Sequence, residues 1–211
     1  PAYRARLAPH LDTWIEDQQL NLDYPETQTN IAGAYVAMGN IAAAESALQE
    51  SLTLQASWVP GLLNLADLYR ATGRDPAAGP LLEEALTLSP DQPEVSYAYA
   101  LWLSRQGRLE DALPHLRLAT RVAPEQRQYA YAWAVALNSA GESERAIDEL
   151  RRLLDRWPDD ADLLLAAITM LRDQQRFAEA LPYIDRLLQQ RPNDQELIRF
   201  REEMQRAAEA A

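Results

Sequence analysis

His10 and His115 are the only imidazoles in the chain, and they lie far apart in sequence. General acid–base chemistry needs such a group, or a carboxyl of shifted pKa, held in a pocket within reach of a substrate proton. The acidic pairs Glu83–Glu84 and Asp159–Asp160 read as ordinary carboxylates on helix faces or ends. No HExxH, GxSxG or phosphate-loop motif occurs, and no group of residues has metal-ligand spacing. With no cysteine, disulfides, thiol catalysis, iron–sulfur ligation and covalent haem attachment are excluded within this segment. The expectation is therefore no enzyme, no cofactor and no metal. Any chemistry here is recognition, and its groups must be positioned by the elements around them.

Those elements repeat. Proline recurs at an interval of 34 as Pro90, Pro124, Pro158 and Pro192, and glycine as Gly39, Gly73, Gly107 and Gly141. Alanine follows the same interval at Ala44, Ala78, Ala112, Ala146 and Ala180. A fixed period in that range is the signature of stacked helical pairs. The units tile as 25–58, 59–92, 93–126, 127–160 and 161–194. In the second, Leu62, Leu65, Ala66 and Tyr69 form one apolar stripe at helical spacing. Gly73 ends that helix, where a left-handed residue is cheap. Ala78, Leu82 and Ala85 make the stripe of the second helix, and Pro90 stops it. The repeated alanine sits where paired helices must approach closely. Proline also recurs inside the second helices, at Pro80, Pro114 and Pro182. Either it tunes the curvature of the array or it is tolerated near a helix start.

Residues 2–20 read as an additional helix with Leu7, Leu11, Trp14 and Ile15 on one face. Residues 195–208 read as a closing helix, with Leu197, Phe200 and Met204 inward and Glu196, Arg199, Glu202, Glu203 and Arg206 outward. The expected architecture is an all-α, right-handed α-solenoid of five helix-turn-helix repeats with an extra helix at each end.

The net charge is −12, which disfavours nucleic acid, since phosphate binding needs a basic face. The charge is uneven: residues 1–92 hold 12 acidic and 4 basic side chains, and residues 93–211 hold 20 and 16. A basic partner segment would prefer the N-terminal end. All basic residues are arginine. No apolar run is long enough to span a membrane. The chain starts at Pro1 without a visible signal peptide, so a piece of a longer or processed protein is expected.

The units resemble the tetratricopeptide repeat. The second matches that family's pattern nearly throughout, with Leu62, Leu65, Ala66, Tyr69, Gly73, Ala78, Leu82, Ala85 and Pro90. The third gives Tyr99, Ala100, Leu103, Gly107, Ala112, Leu116, Ala119 and Pro124. The fourth gives Trp133, Ala134, Leu137, Gly141, Ala146, Leu150 and Pro158, with Leu153 in an alanine slot. Departures lie at the ends: Gln28, Ser51 and Ala56 in the first repeat, Ile168 and Gln175 in the fifth. Gln175 stands in the glycine slot, where a left-handed turn costs a non-glycine residue about 1 kcal/mol. Pentatricopeptide repeats, with period 35 and basic character, fit neither trait.

The resemblance implies a protein-interaction scaffold whose first helices line a concave groove. Its groove positions map to Asn30, Leu63, Asn64, Asp67, Tyr97, Leu101, Arg105, Tyr131, Val135, Asn138, Leu165, Thr169 and Arg172. Tyr97, Leu101, Tyr131, Val135 and Leu165 would form an apolar floor, with Asn64, Asp67, Arg70 and Arg105 around it. Such a floor suits a peptide or helix of a protein partner. The alternative is a structural or assembly domain, with another copy or the parent protein filling the groove. Some family members grip a C-terminal carboxylate with lysine, arginine and asparagine. Asn64 matches one such position, but Thr29, Gly33, Glu94 and Ala98 replace the rest, and Glu94 would repel a carboxylate.

The phrases NLADLYRATGRD and YAYAWAVALNSAG also look like repeats of bacterial proteins with an N-terminal multihaem cytochrome c region. That likeness would make the chain a C-terminal domain of a periplasmic redox protein, and it favours the periplasm over the cytoplasm. The tryptophans, Trp14, Trp58, Trp102, Trp133 and Trp157, read as structural rather than as a ligand platform.

Overall fold

The computed structural model describes residues 13–15 and 22–210. Every regular element in them is helical. The expected helix over 2–20 lies outside the described residues, except that 13–15 are helical and Ile15 packs on the first core cluster. The chain divides into two compact units at Trp102 and Leu103.

The first unit holds α1 (Pro25–Met38), α2 (Ile41–Leu54), α3 (Val59–Ala71), α4 (Asp75–Leu88) and most of α5 (Pro93–Arg105). Local chemistry sets the ends. Pro25 and Pro60 occupy the first turns of α1 and α3, where a missing N–H costs nothing. The Asn40 side chain caps α2 by accepting from the Ala43 amide. The periodic glycines take left-handed geometry, φ 75° to 83°. At Gly73 the turn closes with amide bonds from Gly73 to the Arg70 carbonyl and from Arg74 to the Tyr69 carbonyl. Ile31, Ala32, Ala44, Ala47, Leu48, Leu65 and Leu68 form one buried cluster, and Ala66, Ala78 and Leu82 another.

The second unit continues with α6 (Leu109–Val122), α7 (Arg127–Ser139), α8 (Ser143–Arg156), α9 (Ala161–Asp173), α10 (Phe177–Gln190) and α11 (Gln195–Ala210). Asp160 caps α9, its carboxylate accepting from the Leu163 amide. Leu137, Ile147, Leu150, Leu163, Leu164, Leu171, Ile184 and Leu187 are fully buried. Met204 buries the inner face of α11. Gln175 adopts φ 58°, the left-handed turn its register demands.

All five periodic alanines have zero exposure. That is the packing reason for a short side chain there: no room remains between the paired helices. Pro80, Pro114 and Pro182 each sit inside a helix that runs on past them. Each removes one ladder hydrogen bond without ending the helix.

Candidate binding grooves

Two cavities have the same construction. Each lies between the first helices of successive pairs. In the first unit a cavity of about 230 Å³ is lined by Thr29, Ala32, Gly33 and Val36 of α1 and by Asn64, Asp67, Leu68 and Ala71 of α3, with Leu48 of α2 at its floor. In the second a cavity of about 340 Å³ is lined by Tyr131, Val135 and Asn138 of α7 and by Asp162, Leu165, Ala166, Thr169 and Met170 of α9.

The predicted groove residues divide accordingly. Tyr131, Val135, Asn138, Leu165 and Thr169 line the second cavity together. Val135 and Leu165 are large apolar side chains left 37% and 46% exposed. Asn64 and Asp67 line the first cavity. Asn30, Leu63, Tyr97, Leu101, Arg105 and Arg172 line neither. Leu63 packs against two core clusters of its own unit. Tyr97 and Leu101 are half-buried on α5, and burial pushes the Tyr97 phenol above its ordinary pKa. Asn30 and Arg105 are exposed. Arg172 is also exposed and pairs with Asp173 at 2.8 Å.

Sequence reasoning met Thr29 and Gly33 only as residues that fail the family's carboxylate grip, and it missed Ala32, Val36 and Ala71 as lining residues. The signal was the register: Gly33 and Val135 occupy equivalent repeat positions, as do Thr29 and Tyr131.

The polar surroundings are weakly held. Asp67 accepts from the Arg70 guanidinium at 2.7–2.8 Å, but both side chains are largely exposed, 66% and 46%. Asn138 accepts from the Ser143 hydroxyl at 2.9 Å, and that hydroxyl accepts from the Gln174 amide at 3.2 Å. Among the described residues no three His, Cys, Asp or Glu side chains could hold a metal ion. His115 is half-buried on α6, and burial lowers its pKa while Asp111 pulls it up. It lines neither cavity. No helix among the described residues is long and apolar enough to cross a membrane.

Family models of one helical repeat match this construction. One model of the tetratricopeptide repeat matches residues 29–93 and 131–195, and a second matches 76–134. The chain belongs to the tetratricopeptide repeat family. As a member it is, in general terms, a scaffold for protein–protein contacts. No curated protein sequence matches it. Solved structures share its fold. YrrB, a TPR protein with an unusual peptide-binding site, aligns at a TM-score of 0.69 and 17% identity, over 91% of this chain and 97% of that one. A tetratricopeptide repeat protein from Parabacteroides merdae aligns at 0.72 and 16%, over 87% and 73%. Pseudomonas aeruginosa pilF aligns at 0.69 and 18%, over 78% and 75%. At these identities the likeness is one of fold.

Proposed function

We propose that the chain binds a peptide or helix of a protein partner against the first helices of its repeats. The observation that carries this reading is the pair Val135 and Leu165. Both are large, apolar and exposed, and both line one cavity with Tyr131 and the polar Asn138, Asp162 and Thr169. An apolar floor with polar groups beside it supplies anchoring and orientation together. Asn64 and Asp67 would serve the same purpose in the first unit. Tyr97 and Leu101 would offer an apolar contact of their own on α5, and Asn30, Leu63, Arg105 and Arg172 would contribute within their own units.

The test is affinity capture from lysate with the native chain and a Val135→Arg/Leu165→Arg variant, read by mass spectrometry. Both substitutions lie on exposed positions, so the variant should melt as the native chain does. A protein held by the native chain and lost from the variant supports the reading. Equal catches from both end it. Light scattering on the same samples identifies self-association, should the captured partner be a second copy.

A further inference from the structure

Gly33 lies inside α1 on the wall of the first-unit cavity, and a Cβ built on it would meet nothing within 4 Å. The fold therefore does not require glycine there. A glycine in a helix interior is less stable than alanine, because its backbone loses more freedom on ordering. What its bare backbone does is keep the cavity open down to Leu68 and Leu48, both nearly fully buried. At the equivalent repeat position of the second unit stands Val135, whose side chain is part of the other cavity's lining. The opening, about 230 Å³, has room for a leucine or methionine side chain.

The charged lining residue is acidic, and the excess charge of its unit is negative. Asp67 is the charged residue lining the cavity among those described, and its exposed pair with Arg70 is of the weakly held kind that an incoming cation can replace. Arg74, a further cation of the unit, is committed elsewhere. It donates to both Glu45 oxygens at 2.9 Å and lies over the Tyr69 ring. Residues 1–102 carry 13 acidic and 4 basic side chains. That field attracts cationic segments and repels acidic ones. Asn64 adds an amide that can both donate and accept toward a backbone.

We propose that this cavity takes one aliphatic side chain of a basic protein segment, whose neighbouring lysine or arginine pairs with Asp67. The proposal rests on the scaffold reading above and adds the partner's chemistry.

A displayed random-peptide library, selected in parallel on the native chain, Gly33→Leu and Val135→Arg/Leu165→Arg, tests it. The expected peptides are enriched on the native chain and lost on Gly33→Leu. They carry Leu, Ile or Met within a few residues of Lys or Arg, and acidic residues are depleted. Resynthesised, they bind Gly33→Leu about tenfold or more weakly, the loss of one buried aliphatic anchor. Asp67→Asn weakens them a few-fold, and added salt does the same to the native chain. Gly33→Ala sharpens the argument because it should melt about 2 °C above the native chain while binding the peptides less well. A lower melting temperature for Gly33→Ala would show that the fold needs the glycine, and the inference would fall. It falls equally if the selected peptides are acidic, or if they survive Gly33→Leu. Peptides lost only on Val135→Arg/Leu165→Arg would overturn this inference and keep the scaffold reading. No enrichment on the native chain would overturn both.

Discussion

The two units solve one problem, joining successive repeats, with different chemistry. In the first, tryptophans do most of it, beside a single arginine strap from Arg74 to Glu45. The Trp58 indole donates to Thr29 Oγ1 at 2.8 Å, and Trp102 donates to the Asp75 carbonyl at 3.1 Å. Glycines make room for both rings: a Cβ on Gly61 would come within 2.8 Å of Trp58, and one on Gly79 within 2.4 Å of Trp102. In the second, arginines do it. Arg127 reaches Asp160, Arg176 reaches Glu144, Arg151 reaches Glu179, and Arg156 and Arg186 reach the Pro124 and Pro158 carbonyls. The cost shows in the charge: 13 acidic against 4 basic residues up to Trp102, 19 against 16 beyond it. An aromatic wedge leaves its neighbourhood's carboxylates unneutralised, whereas arginine straps balance them. The unit that stacks mainly through tryptophan is also the more acidic one.

The wedge should dominate any stability comparison. Trp102→Ala removes ring contacts with Gly79 and Tyr99, whose ring stacks at 5.8 Å, together with the bond to Asp75. We expect a loss of about 3 kcal/mol, at the low end for a large aromatic because Trp102 is only half-buried. Denaturant melts at low and high salt should give the same loss. A salt-dependent loss would mean that charge, not the ring, joins these repeats. Gly79→Ala probes the same contact from the other side. The added methyl collides with the indole, and we expect about 1–3 kcal/mol of destabilisation despite alanine's better helix propensity. Gly33→Ala, the same substitution in open space, has the opposite sign.

That pair of glycines shows how far the sequence can be read. The period exposed the turns, the buried alanines and the left-handed Gln175, because these depend on local geometry repeated five times. The sequence alone could not tell that Gly79 is packed and Gly33 is open. The difference is set by whether a ring from the next helix arrives, at a separation of 27 for Trp102 and Asp75. The straps were hidden for the same reason, although their separations of 28 to 33, just short of one period, are the trace they leave. The grooves followed from the family's positions only in part, since those positions assume a side chain where Gly33 has none.

Gln175→Gly should add about 1 kcal/mol by relieving the left-handed turn at φ 58°. A melting temperature about 2–4 °C higher would register it. If the gain is absent, the Gln174–Ser143 bond beside the turn offsets the backbone strain, and Gln174→Ala would reveal that.

The smallest effect separates the straps from the wedges by acid. Hydrogen bonds from Arg176 hold the Glu179 carboxyl below its ordinary pKa, with Arg151 adding to the pull, and Arg74 does the same for Glu45. A carboxylate lowered on folding contributes stability that is present at neutral pH, above its unfolded value. The contribution is lost as pH falls below about 4.3, the ordinary glutamate value, and through the lower folded one. These side chains are partly exposed, so each Glu179 pair contributes less than about 1 kcal/mol. Glu179→Gln should therefore melt slightly below the native chain at neutral pH and level with it in strong acid, where both carry a neutral group. Glu45→Gln should show the same convergence with a smaller gap, because one arginine holds Glu45 and two hold Glu179. Equal gaps for Glu179→Gln at both pH extremes would mean that packing around this side chain, not its charge, joins the repeats of the second unit. The contrast with the tryptophan wedge would then collapse.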